Sequence, residues 1–133
     1  MYTLRMSRPR IVVLDDNEMF AALLAAALEE EFEISVGHSG LQGLSLCLER
    51  PPAAVVSDIG MPELDGVQLI RELSRRPELA RIPVVIVTAT HFNTNSREEL
   101  SVFPQVKRVL SKTQSVETIA AEVRAVISEA GGV

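Results

Sequence analysis

Short apolar runs alternate with amphipathic stretches along this chain. The runs Ile11–Leu14, Phe32–Val36, Ala53–Val56, Val84–Val87 and Val106–Leu110 predict five β-strands. Between them, Phe20, Leu23, Leu24, Ala27 and Leu28 recur at helical spacing and predict a helix buried on that face. Leu41, Leu44 and Leu48 repeat the pattern more weakly, as do Val67, Ile70 and Leu73. Val116, Ile119, Ala120, Val123, Val126 and Ile127 form the longest stripe. The weakest pattern lies within Thr94–Phe103, where a short helix is expected. Strands and helices that alternate in this way predict an α/β fold built on a parallel sheet.

The character of the strands orders them. The first, third and fourth are near-continuous apolar runs, as expected where helices cover both faces of a sheet. The second alternates, and the fifth carries Lys107 and Arg108, so both belong at edges. The order 2-1-3-4-5 satisfies this, a flavodoxin-like doubly wound sheet with helices on both faces. In such sheets ligands sit beyond the carboxyl ends of the strands, where the winding reverses between strands one and three.

Composition narrows the class. A chain of 133 residues, 47% apolar and 23% charged, is one globular domain. We expect a tail over 1–9, the domain over 10–130 and a short tail over 131–133. Thirteen Lys and Arg against eighteen Asp and Glu leave a net charge of −5, which argues against nucleic-acid or membrane-surface binding. No apolar run approaches the ~20 residues of a membrane span. Arg5, Arg8 and Arg10 precede too short an apolar stretch for a signal peptide, which predicts a cytoplasmic protein. The lone Cys47 excludes an intrachain disulfide and a cysteine-based zinc site, and is expected to fill space in a helix.

The strand ends carry the chemistry. Strand one ends in Asp15-Asp16, strand three in Ser57-Asp58, strand four in Thr88-Ala89-Thr90 and strand five in Ser111-Lys112. Three carboxylates meeting at one rim repel unless a cation joins them, and oxygen ligands at an open rim suit Mg²⁺. A lysine and a threonine beside them can hold an anion, and a carboxylate can attack phosphorus, so the set describes phosphoryl transfer. Singly, each residue has an ordinary explanation: acids start helices, threonines fill strands and lysines are solvated. Their joint placement at four strand ends favours function. Asp65-Gly66 reads as turn chemistry and Met61-Pro62 as loop shaping. His38 and His91, without spaced partners, read as surface polarity, and Met and Phe positions on helical stripes as core.

Val13-Leu14-Asp15-Asp16-Asn17, Asp58-Ile59-Gly60-Met61-Pro62-Glu63-Leu64-Asp65-Gly66, Val87-Thr88-Ala89 and Leu110-Ser111-Lys112 together resemble receiver domains of two-component response regulators, from about Arg10 to about Ala130. The architecture resembles that of single-domain chemotaxis-type regulators. The resemblance implies a phosphoacceptor at Asp58, charged by a sensor histidine kinase or a histidine phosphotransfer protein. It implies Mg²⁺ held by Asp16, Asp58 and the Gly60 backbone carbonyl, with Asp15 acting mainly through a metal-bound water. Thr88 and Lys112 would each take a phosphoryl oxygen. The output would be contact with a downstream protein whose identity the sequence does not name, the chain being a monomer or weak homodimer and not a classical enzyme.

Three positions depart from the family pattern. Thr113 follows Lys112 where a cis proline is common, and a cis bond to a non-proline residue costs ~2.5–4 kcal/mol, so a trans loop is expected. Val109 stands where an aromatic usually swings inward, and Phe103-Pro104-Gln105-Val106 lacks the usual small Gly-Ala element. With Val109, the response to phosphorylation is expected mainly from Ala89 to Asn95 and at Lys112-Thr113. These departures leave a phosphorylation-independent interaction module as the alternative. An aspartate-nucleophile phosphatase is disfavoured because Gly60 stands where its second acid belongs, and no phosphate-binding glycine motif supports a nucleotide site. No output domain fits after Lys112, which predicts a stand-alone receiver, although a piece of a longer regulator would look the same.

Overall fold

The computed structural model describes residues 8–89 and 94–131, without the side chains of 94–97. Its elements are β1 (Arg10–Leu14), α1 (Glu18–Leu28), β2 (Glu33–Gly37), α2 (Gly40–Glu49), β3 (Ala54–Ser57), α3 (Gly66–Ser74), β4 (Val84–Thr88), α4 (Thr94–Ser101), β5 (Val106–Ser111) and α5 (Val116–Glu129). The strands form one parallel sheet of order β2-β1-β3-β4-β5, as expected from their polarity. Each strand boundary lies within one residue of the position expected from the apolar runs. Most of the two expected tails, residues 1–7 and 132–133, lies outside the described residues, as do Thr90 and His91.

Alternation along the central strands sends residues to two cores. Ile11, Val13, Ala54, Val56, Val85 and Val87 pack against α1 and α5, while Val12, Leu14, Val55, Val84 and Ile86 pack against α2, α3 and α4. The register of β5 slips between Val84 and Val85, whose partners are Val106 and Arg108. That irregularity lets Val106 and Val109, three positions apart, face the same core. It also turns Arg108 toward α5, where it bonds Glu122 at 3.0 Å and Glu129 at 2.6 Å. Val109 borders an open cavity of about 290 Å³ with Leu100, Phe103 and Val106.

The helices begin where capping residues stand. Asn17, Ser39, Asp65 and Ser115 each accept a backbone N–H from the first turn of α1, α2, α3 and α5. The cap of α1 is thus Asn17, and Asp15-Asp16 stays outside the helix. Arg10, read only as part of a basic N-terminal stretch, is buried in β1. Its guanidinium donates to the carbonyls of Leu46 and Arg50 at the end of α2, where a cation meets the negative end of a helix.

Two expected faces are corrected. In α2 the buried positions are Gly40, Gly43 and Cys47, while Leu41 is 51% and Leu48 is 48% exposed. The cause is close packing: a Cβ on Gly43 would lie 2.3 Å from Leu14 Cδ1, so the small residues face inward, Leu41 and Leu48 outward, and Leu44 packs half-buried at the edge of the core. In α1, Ala21 is buried in place of Leu23, and Met19 is exposed. Cys47 does fill space in its helix, and burial pushes its thiol up to about 11.

Candidate functional site

Parallel register brings four strand ends to one edge of the sheet. Leu14 pairs with both Gly37 and Ser57, and Thr88 pairs with Ser111. The residues just beyond them are Asp15, Asp58, Ala89 and Lys112. Oxygen atoms of Asp15, Asp16 and Asp58 lie within 4.8 Å of one another. Asp15 and Asp58 are buried, and Asp16 is exposed.

Each carboxylate is held differently. Asp15 Oδ1 accepts the Asn17 N–H at 2.9 Å, and its Oδ2 lies 2.8 Å from Lys112 Nζ. Asp58 Oδ1 accepts the Ile59 N–H at 2.7 Å, and its Oδ2 accepts from Lys112 Nζ at 3.0 Å. Lys112 therefore bridges the two buried acids, and its ammonium also lies 5.0 Å from the centre of the Phe20 ring. Burial pushes the Asp15 carboxyl above its ordinary value, helped by the Asp58 charge and opposed by Lys112 and the Asn17 N–H. Burial works against the Lys112 ammonium, but its bonds to Asp15 and Asp58 outweigh it and hold the pKa above the usual lysine value. One ammonium against three carboxylates leaves the cluster net negative. An all-oxygen donor set of this charge fits Mg²⁺, a hard cation that takes one or two carboxylates and keeps water.

Thr88 closes β4, half-buried, and its carbonyl accepts the Lys112 N–H at 2.8 Å. After Lys112 the chain turns without a cis peptide bond, there being none among the described residues. Ser111 Oγ accepts the Thr113 N–H at 3.1 Å and lies 2.8 Å from Thr113 Oγ1, which fastens the loop that carries Lys112. Gly60 is exposed just past Asp58, with its α-carbon facing open space. The structure thus gathers Asp15, Asp16, Asp58, Gly60, Thr88 and Lys112 at one rim.

This arrangement fits a phosphoacceptor site, and a family model described as the response regulator receiver domain matches residues 11–124. The chain belongs to that family. PilH of Pseudomonas aeruginosa is 31% identical over 123 residues, covering 90% of this chain and 98% of PilH. The phosphate regulon transcriptional regulatory protein PhoB of Rhizobium meliloti is 35% identical over 82 residues, 61% of this chain. The chain spans only 36% of the length of PhoB. A crystal structure of a sensor protein from Polaromonas sp. JS666 superposes with a TM-score of 0.79 at 31% identity, covering 92% of this chain and 98% of that one. Receiver domains are signalling domains that work with histidine kinases and phosphotransfer proteins, and the acidic cluster of this one fits that role. No helix among the described residues is long and apolar enough to cross a membrane.

Two residues at this receiver's site were not legible as such. His38, read as surface polarity, is half-buried and places Nδ1 2.9 Å from the Asp15 carbonyl oxygen. A bond to main chain leaves no spacing signal in a sequence. Gly66, read only as turn chemistry, donates its N–H to the Ile59 carbonyl at 2.8 Å, while Asp65 and Gln68 form a capping box. A Cβ on Gly66 would lie 2.5 Å from the Asp58 carbonyl oxygen and 2.8 Å from Ile59 Cα, so glycine lets α3 start against the main chain of Asp58. Gly66→Ala should therefore lower stability by about 2 kcal/mol through overpacking. It should also shift the Asp58 and Ile59 amide resonances, which NMR of the variant would show; unmoved resonances would contradict the contact.

Proposed function

We propose that Asp58 accepts a phosphoryl group from the phosphohistidine of a sensor histidine kinase or histidine phosphotransfer protein, and that the phosphorylated chain signals by binding another protein. The observation that carries this is the buried Asp58 carboxylate beside Asp15 and Asp16, bridged to Asp15 by Lys112. In the transfer, an Asp58 carboxylate oxygen attacks phosphorus as the phosphorus–nitrogen bond of the donor breaks. The electron pair stays on the imidazole nitrogen.

Asp16, Asp58 and the Gly60 carbonyl would hold Mg²⁺, with Asp15 reaching it through water. When bound, the ion neutralises charge on the phosphoryl oxygens. Lys112, already within bonding distance of Asp58, supplies a cation to a second phosphoryl oxygen. The Thr88 hydroxyl, at the neighbouring strand end, donates to a third.

Intact-mass analysis after incubation with acetyl phosphate tests this. We expect one added phosphoryl group with Mg²⁺ and none when the metal is chelated. Asp16→Ala should bind Mg²⁺ at least about tenfold more weakly and react correspondingly slowly, with its fold intact, because Asp16 is exposed and caps nothing. Modification that ignores the metal would remove the proposed role of the acidic cluster.

A further inference from the structure

The β1–β2 ladder ends with the Asp15 N–H donating to the Gly37 carbonyl at 3.1 Å. In a parallel ladder the next bond would run from the main-chain N–H of residue 39 to the Asp15 carbonyl. By Ser39 the chain has turned into α2, whose N-cap that residue is. The His38 ring occupies the missing rung, with Nδ1 2.9 Å from the Asp15 oxygen. A carbonyl only accepts, so Nδ1 carries the proton. The main chain of His38 is anchored in turn, its N–H donating to Gln42 Oε1 at 2.7 Å. Gln42 itself belongs to the first turn of α2, where its N–H donates to Ser39 Oγ at 3.0 Å. A continuous set of bonds thus runs from the start of α2 through His38 to the acidic rim.

The carbonyl that His38 grips belongs to the planar peptide unit joining Asp15 to Asp16. The Asp15 carboxylate is already fixed on both oxygens, by Asn17 and Lys112. The exposed Asp16 carboxylate has no hydrogen-bond partner among the described residues, so the placement of its main chain sets the positions that its rotamers can reach. We propose that His38 is a positioning residue for this acidic pair: its Nδ1–H holds the Asp15–Asp16 peptide group and thereby aims the Asp16 carboxylate at the cation. The inference rests on the acidic cluster being the Mg²⁺ site.

Two measurements test it. In the wild-type chain, long-range ¹H–¹⁵N correlations of the imidazole above its titration range should show the Nδ1–H tautomer; the Nε2–H tautomer would overturn the proposal. Mg²⁺ titrations followed by NMR should then compare wild type, His38→Leu and His38→Asn. Leucine fills similar space without a donor, whereas the asparagine side-chain nitrogen falls where Nδ1 lies. We expect His38→Leu to weaken Mg²⁺ binding about tenfold, as loss of an outer-shell partner does, and His38→Asn to restore most of it. Rescue by asparagine separates the donor from mere packing. Equal affinity in His38→Leu and wild type, or asparagine as weak as leucine, would overturn the role of His38 alone. A wild-type chain that binds no Mg²⁺ would overturn the site assignment itself.

Discussion

Asp58→Asn is expected to take no phosphoryl group from acetyl phosphate under conditions that phosphorylate the wild-type chain, while remaining folded. An amide is a poor nucleophile, and no other carboxylate can take over the position. Asp15 is committed to Asn17 and Lys112, and Asp16 stands exposed on the outer side of the cluster. The fold should survive because an amide oxygen can still accept from the Ile59 N–H or from Lys112, as Asp58 does at 2.7 and 3.0 Å. Removing one of three crowded negative charges also relieves repulsion when no metal is bound. Intact mass and thermal melting report the two halves of this expectation separately. Full modification of Asp58→Asn would place the acceptor elsewhere.

Lys112→Met is expected to show the largest loss of stability among substitutions at the rim. It removes the ammonium that bridges two buried carboxylates and leaves both without a counter-charge. Breaking a fully buried pair costs about 3–5 kcal/mol; at this partly open rim about 2 kcal/mol is reasonable, a fall in Tm of about 8 °C for a chain of this size. The pH dependence has a definite sign. The Lys112 pKa is raised in the folded state, so its contribution is complete below the ordinary lysine value and is lost as pH rises through the higher folded value. The raised Asp15 pKa has the same sign in a different pH range: ionising the buried acid costs folded stability, a cost that is absent below the ordinary carboxylate value and complete once pH has risen through the higher folded value. The deficit of Lys112→Met should accordingly be full at neutral pH and shrink as the acids protonate. Added Mg²⁺ should also reduce it, because the cation replaces the missing charge. Thermal melts across pH, with and without Mg²⁺, check both effects; a deficit unchanged by acid and metal would show that Lys112 contributes through packing alone.

Much of the rim could be read before the structure because most of its residues stand at or just past a strand end. In β1, β3 and β4 the apolar run stops abruptly at an acid or a hydroxyl, and parallel pairing then sets those stops side by side. Asp15, Asp58, Thr88 and Lys112 follow from topology and period alone. Asp15 and Asp16 look equivalent in sequence, yet only the first lies under the rim, bonded to Asn17 and Lys112.

What stayed hidden depends on close approach or on main-chain partners. Leu41, Leu44 and Leu48 match helical spacing, but α2 lies so near Leu14 that only Gly43 fits between them. Periodicity weighs apolar size and ignores contact distance, so it placed Leu41 and Leu48 inside, where only Leu44 of the three packs against the core. Gly66 is chosen by its proximity to the Asp58 carbonyl, and His38 by a carbonyl at the end of a ladder. Neither constraint names a second residue type at a fixed spacing.

The most direct test of the central claim is peptide mapping of the wild-type chain after reaction with acetyl phosphate and Mg²⁺. The phosphoryl group should be found once, on the peptide that contains Asp58, with the lability of an acyl phosphate. A phosphoryl group on a serine, threonine or histidine, or none at all, would contradict it.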